Sequence, residues 1–262
     1  RINVGSARYT PRELEGGAVG TTFNNHGYDG RAELLHSDLG GFAGSWGVQS
    51  GRTQLEAIGE EAFLPTSRTN NNAVCAFEEY KLGAFTPQFG ARLERQTVDV
   101  LDGTGRGRDD DTLSLSAGTV WNPAPDWTVG LSLTRTERAP NAQELYADGP
   151  HVGTGAYEIG DAGLGREKSL GVELNIRRRA GLVTGELSLF ANKFNGYIYE
   201  QATGQVAVDG ASGFELVDAG SAEAAAAEEP LTAYRYVATD ADFYGAEAEV
   251  IFHLHDTAVQ QL

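Results

Sequence analysis

Apolar and polar residues alternate one by one along most of this chain. From Trp127 the order places Trp127, Val129, Leu131 and Leu133 on one side of an extended strand, with Thr128, Ser132 and Thr134 on the other. Leu170, Val172, Leu174 and Ile176 repeat the pattern against Glu173, Asn175 and Arg177. The same period predicts strands over 1–14, 18–37, 42–58, 73–81, around Phe89 to Gln96, 112–121, 182–199 and 232–255, about ten in all. Glu15-Gly16-Gly17 reads as a turn. The stretches 59–72, 99–111, 135–167 and 200–231 lack the alternation and read as loops.

Connection lengths sort themselves. The turns near residues 39, 83, 124 and 180 are short, and those near 65, 105, 150 and 215 are long. Antiparallel strands reverse at every connection, so all the short turns fall at one end of the sheet and all the long loops at the other. A transmembrane β-barrel with short periplasmic turns and long extracellular loops has this asymmetry. Trp121 and Trp127 flank the 122–126 turn, where an interfacial aromatic girdle belongs. The apolar face then meets lipid and the polar face, including Gln88, Arg92, Glu94, Glu173, Asn175, Glu247 and Glu249, lines the lumen.

Composition narrows the classes further. No run of 18 apolar residues exists, so a membrane-spanning helix is excluded, while a barrel strand needs only about 9 to 11 residues. A formal net charge of -17 argues against nucleic acid as a partner. Cys75 is the only cysteine, which excludes an intrachain disulfide; its apolar surroundings read as those of a small buried hydrophobe. No G-x-S-x-G, phosphate-loop or H-E-x-x-H pattern occurs.

The segment Arg138-Ala139-Pro140-Asn141-Ala142-Gln143-Glu144-Leu145-Tyr146 resembles TonB-dependent outer-membrane receptors. The likeness continues through Gly149-Pro150-His151, Tyr157-Glu158-Ile159-Gly160 and Glu167-Lys168-Ser169. It also covers Gly20-Thr21-Thr22-Phe23, Gly27-Tyr28-Asp29-Gly30-Arg31, the run from Ala57 to Pro65, and Phe243-Tyr244-Gly245-Ala246-Glu247. Together these look most like the zinc-receptor branch. The resemblance implies location in a bacterial outer membrane, contact with lipid and lipopolysaccharide, and TonB of the inner membrane as a partner through an N-terminal part. It also implies a plugged barrel of 22 strands, so residues 1–262 would be part of one barrel domain, without the plug and the closing strands. The expected activity is uptake of a scarce nutrient, a metal ion (zinc) first and a siderophore or other metal chelate second. No enzyme activity and no resident cofactor are expected.

Locally, Asn141 can cap a short helical turn to which Glu144 returns. Ser221 to Pro230 reads either as a short helix or as a low-complexity loop. His151, with Asp148, Glu158 and Asp161 near it in the longest loop, is the leading candidate for a metal or ligand site, and solvated loop residues are the alternative. His26 is a weaker second ligand. His253 and His255 share a strand face with Glu247 and Glu249 and offer a clip or a lining role, and Asp109-Asp110-Asp111 offers calcium or a plain charged tip. Two rival classes are an outer-membrane hydrolase built on His151 and Asp148, and a passive porin.

Overall fold

The computed structural model describes residues 1–15, 17–59, 62–103, 105–151, 153–210 and 213–253. Ten long strands form a continuous antiparallel wall: β1 (Ile2–Tyr9), β3 (Ala18–Leu39), β4 (Phe42–Gly59), β5 (Ser67–Tyr80), β6 (Phe85–Val100), β7 (Arg108–Ala124), β8 (Trp127–Arg138), β11 (Glu167–Arg178), β12 (Val183–Gly210) and β14 (Leu231–Phe252). β2 (Arg12–Glu15) pairs with β3, and β13 (Gly213–Asp218) forms a hairpin with β12. The chain is thus all-β, and among the described residues the helices are two of five residues each, α1 (Ala142–Tyr146) and α2 (Ala222–Ala226). α2 carries Ser221 as its N-cap, so the helical reading of that loop holds.

Register fixes the two faces. Ile2, Ala32, Val48, Val74, Leu93 and Leu113 lie side by side across six strands. Ala117, Leu133, Val172 and Ala191 continue the apolar surface across β7, β8, β11 and β12. In β6 the band spans nine residues, Phe85 to Leu93, enough to cross hydrocarbon when tilted. At its short-turn edge the rings of Phe85 and Trp121 stack 5.8 Å apart, Phe42 meets Tyr80 at 5.1 Å, and Arg178 lies over Trp127 at 5.7 Å. This is the interfacial girdle that the tryptophans beside the 122–126 turn predict. The opposite face is polar: Arg92 reaches Gln49 and Glu94, and Asn175 links Glu173 to Ser188.

Strand lengths depart from the alternation. β5 begins at Ser67, inside the stretch read as irregular, because Ser67-Arg68-Thr69-Asn70-Asn71-Asn72 lies beyond the apolar band and is polar on both faces. β12 likewise runs to Gly210 instead of ending near Tyr199. Asp109, Asp110 and Asp111 are strand residues of β7, ion-paired with Arg95, Arg108 and Arg95 respectively. His253 accepts from or donates to Thr184 Oγ1 at 2.8 Å; His255 and Gly16 fall outside the described residues.

The long loops turn inward over the polar side. Phe63, Leu64 and Ala147 form a small buried core against Phe23, Leu55, Ala57 and Tyr236, and Leu145, Leu164 and Ile198 form a second. Residues from both ends of the strand order meet in these clusters, which requires the wall to curl around them.

Candidate functional site

The mouth is organised by the loop after β8. Asn141 Oδ1 accepts the Glu144 amide at 2.8 Å, and the Glu144 carboxylate accepts the Asn141 amide at 2.7 Å, so the capping box foreseen from the sequence starts α1. Arg138 then ties Glu144 (2.8 Å) to Glu167 (3.2 Å), clamping the loop's two ends together. Beyond α1 the chain forms a small hairpin, β9 (Asp148–His151) with β10 (Ala156–Ile159). β10 also pairs, in parallel, with Thr232–Arg235 of β14.

Two glycines allow this packing. A Cβ on Gly149 would lie 2.9 Å from Phe63 Cα, and one on Gly160 would lie 2.6 Å from the Tyr146 amide nitrogen. Only a bare backbone lets the hairpin approach the 62–66 loop and the end of α1 so closely.

Glu158 is the hub of the mouth. Its side chain is 2% exposed, and its carboxylate accepts from Gln143 Nε2 (2.7 Å), His151 Nδ1 (2.6 Å), Tyr236 Oη (3.2 Å) and Thr154 Oγ1 (3.4 Å). A buried carboxylate needs such compensation. The His151 ring stacks on Phe63, centroids 4.3 Å apart, and its Nε2 lies 3.4 Å from Glu13 Oε1. Glu13 Oε2 is buried and, among the described residues, has no hydrogen-bond partner. His151 is therefore held between two carboxylates that come from opposite ends of the wall.

Of the residues singled out in the sequence, His151 and Glu158 come together. Asp148 does not join them: its Oδ1 accepts from Tyr157 Oη at 3.1 Å, and burial followed by that carboxylate pushes the Tyr157 phenol up to about 12. Burial, followed by Glu200 and Glu158, raises the Tyr236 phenol as well. His26 is remote in kind as well as place. It pairs with Arg8 and Gln54 on the outer face of the wall, in phase with Ala32 and Val48, beside Arg68. Among the described residues no group of three or more His, Cys, Asp or Glu side chains is placed to hold a metal ion. Glu13, Gln143, Phe63 and Tyr236 were not foreseen as partners of His151 and Glu158. Nothing local in the sequence marks them.

Three comparisons of fold bear on this arrangement. The copper transporter OprC is 14% identical with a TM-score of 0.67 over 97% of this chain and 40% of that one. The hemophore receptor HasR of Serratia marcescens is 14% identical with a TM-score of 0.64 over 88% and 39%. The FrpB iron transporter of Neisseria meningitidis is 15% identical with a TM-score of 0.59 over 89% and 33%. The chain therefore spans 33% to 40% of the length of these structures, and at such identity the likeness is one of fold. A family model described as TonB dependent receptor-like, beta-barrel, matches residues 3–258. With that match over nearly all of a wall whose apolar band, girdle and loop-filled mouth suit a membrane barrel, the chain belongs to the TonB-dependent receptor β-barrel family.

Proposed function

We propose that this chain is part of the barrel of a bacterial outer-membrane receptor that takes up a scarce metal nutrient, with transport driven through TonB. Residues 1–262 then lie in one barrel domain, and the plug and remaining strands belong to protein outside it. Members of the family are transporters rather than enzymes. The rival hydrolase also lacks its catalytic pair, because Asp148 is bonded to Tyr157 and not to His151.

The observation that carries the cargo reading is the pair of carboxylates, Glu13 and Glu158, flanking His151 at the mouth; the three attract a cation without being placed as a ready-made metal site. Imidazole with carboxylates suits a borderline divalent cation, so zinc is the leading cargo. Asp148 lies on the same hairpin and adds negative charge to the approach. His26 is left out of the site, since arginines beside it oppose a cation. A metal chelate is the second reading, favoured by the rings of Phe63, Tyr157 and Tyr236 around the same mouth and by similar folds described as a siderophore receptor and as a ferric enterobactin receptor.

Zinc calorimetry on the full-length receptor tests this. Micromolar zinc should bind, and His151→Ala should weaken it at least about tenfold. No binding at micromolar metal removes zinc and leaves the chelate. Cargo uptake that persists without TonB would remove the receptor reading itself.

A further inference from the structure

A recess of about 460 Å³ opens beside the mouth, within the range of small-molecule sites, about 300 to 1,000 Å³. The 62–66 loop, the turn that follows β6 and the start of β9 enclose it. Backbone bonds lock these segments together: the Asp148 amide donates to Phe63 O (2.8 Å), and the Leu101 amide donates to Thr66 O (2.7 Å). The recess is therefore formed before anything enters it, which spares a ligand the cost of ordering loops.

Its floor is apolar. Phe63 and Leu64 are 3% and 7% exposed, and Pro65 continues the surface. Tyr146 adds a ring fixed by its hydroxyl, which donates to Arg106 O at 2.7 Å. Two exposed carboxylates, Asp102 and Asp148, complete the lining. Each is oriented by a neutral donor: the Thr66 amide reaches Asp102 Oδ2 at 3.1 Å, and Tyr157 Oη reaches Asp148 Oδ1 at 3.1 Å. Among the described residues that line the recess there is no lysine or arginine.

The recess is separate from the cargo centre. The β9–β10 register puts Asp148 and Tyr157 on one face of the hairpin and His151 and Glu158 on the other. Phe63 alone borders both, with its ring stacked on His151.

The chemistry of the lining selects its occupant. A bare metal ion gains nothing from alkyl walls, and an anion is repelled by both carboxylates. A carboxylate from each of two segments, with apolar surface between them, matches a molecule with an apolar middle and a positive charge at either end. The Tyr146 ring adds attraction for an ammonium group.

We propose that this recess binds a small aliphatic diamine in its doubly protonated form, one ammonium at Asp102 and the other at Asp148, with the methylene chain over Phe63, Leu64 and Pro65. The site does not depend on which cargo the mouth takes up.

Calorimetry of the full-length receptor in detergent, with putrescine, butylamine and butanediol as probes, tests it. Putrescine should bind at least about fivefold more tightly than butylamine, and the uncharged diol should give no heat of binding. Asp102→Asn and Asp148→Asn should each remove the advantage of the second ammonium. Glu223→Gln, an acidic residue of α2 outside the recess, should leave it intact. Putrescine binding no tighter than butylamine, or unchanged in both Asp variants, overturns the site; an equal loss in Glu223→Gln assigns the binding to the diffuse charge of the loops and overturns it too. Zinc titrated into the same samples reports on the cargo reading, and its failure leaves the diamine result standing.

Discussion

His151 Nδ1 donates to Glu158 Oε1 at 2.6 Å across the two strands of the mouth hairpin. The same carboxylate holds Gln143 from α1 and Tyr236 from β14, so one buried side chain joins three elements. Replacing it by Ala leaves His151 Nδ1 and the Gln143 amide without their carboxylate, and Tyr236 with Glu200 alone. Glu158→Ala should weaken the hairpin by about 3 kcal/mol. Hydrogen exchange at Ala156–Ile159 should accelerate while the wall amides stay protected. Equal protection in wild type and variant would refute the hub.

Asn141 and Glu144 cap each other, so their contributions should not add. Asn141→Ala and Glu144→Ala should each cost about 1 kcal/mol locally, and the double variant clearly less than their sum. Exchange rates of the α1 amides in a double-mutant cycle report the coupling; strict additivity would contradict the shared box. Arg138 adds a separate loss to the Glu144 variant only.

How much was legible beforehand follows from which residues carry the signal. Wall strands such as β8 and β11 were readable because Leu133 and Val172 sit opposite each other on one apolar face, and a period of two survives in the sequence. Ser67 to Asn72 shows no such period, since both faces of β5 carry polar side chains there, and no strand is predicted from it. The capping box was readable because its partners are three residues apart. Glu13 and His151 are 138 positions apart and meet only when the wall curls, so no local pattern could announce them.

The face assignment gives a sharp contrast between neighbours. Leu133→Arg, placed between Ala117 and Val172 in the apolar band, should destabilise the folded barrel by about 2 to 4 kcal/mol. Ser132→Arg, pointing the other way and opposite Glu173, should cost far less. Urea unfolding of the full-length receptor in lipid vesicles separates them, and similar costs would invert the faces.

Tyr157 should be a late titrator of the loops. Its folded value, about 12, lies above the ordinary phenol value of 10.0, so the folded state keeps a proton that the unfolded chain gives up. Its contribution is complete below about pH 10 and is lost as pH rises through about 12. Ultraviolet titration should show a tyrosine step near pH 12, distinct from any later one of Tyr236, and Tyr157→Phe should remove that step. A Tyr157→Phe curve that keeps the late step would assign that step elsewhere.

The parallel pairing of β10 with Thr232–Arg235 also sets a limit on what can lie beside β14. Its backbone groups on that edge are already taken over Thr232–Arg235, and among the described residues no strand pairs with it from Tyr236 downward. Whatever strand next joins the wall there, from the same protein or another, must stop its hydrogen-bond ladder at that point. A loop that shapes the mouth therefore also acts as a register stop for the barrel.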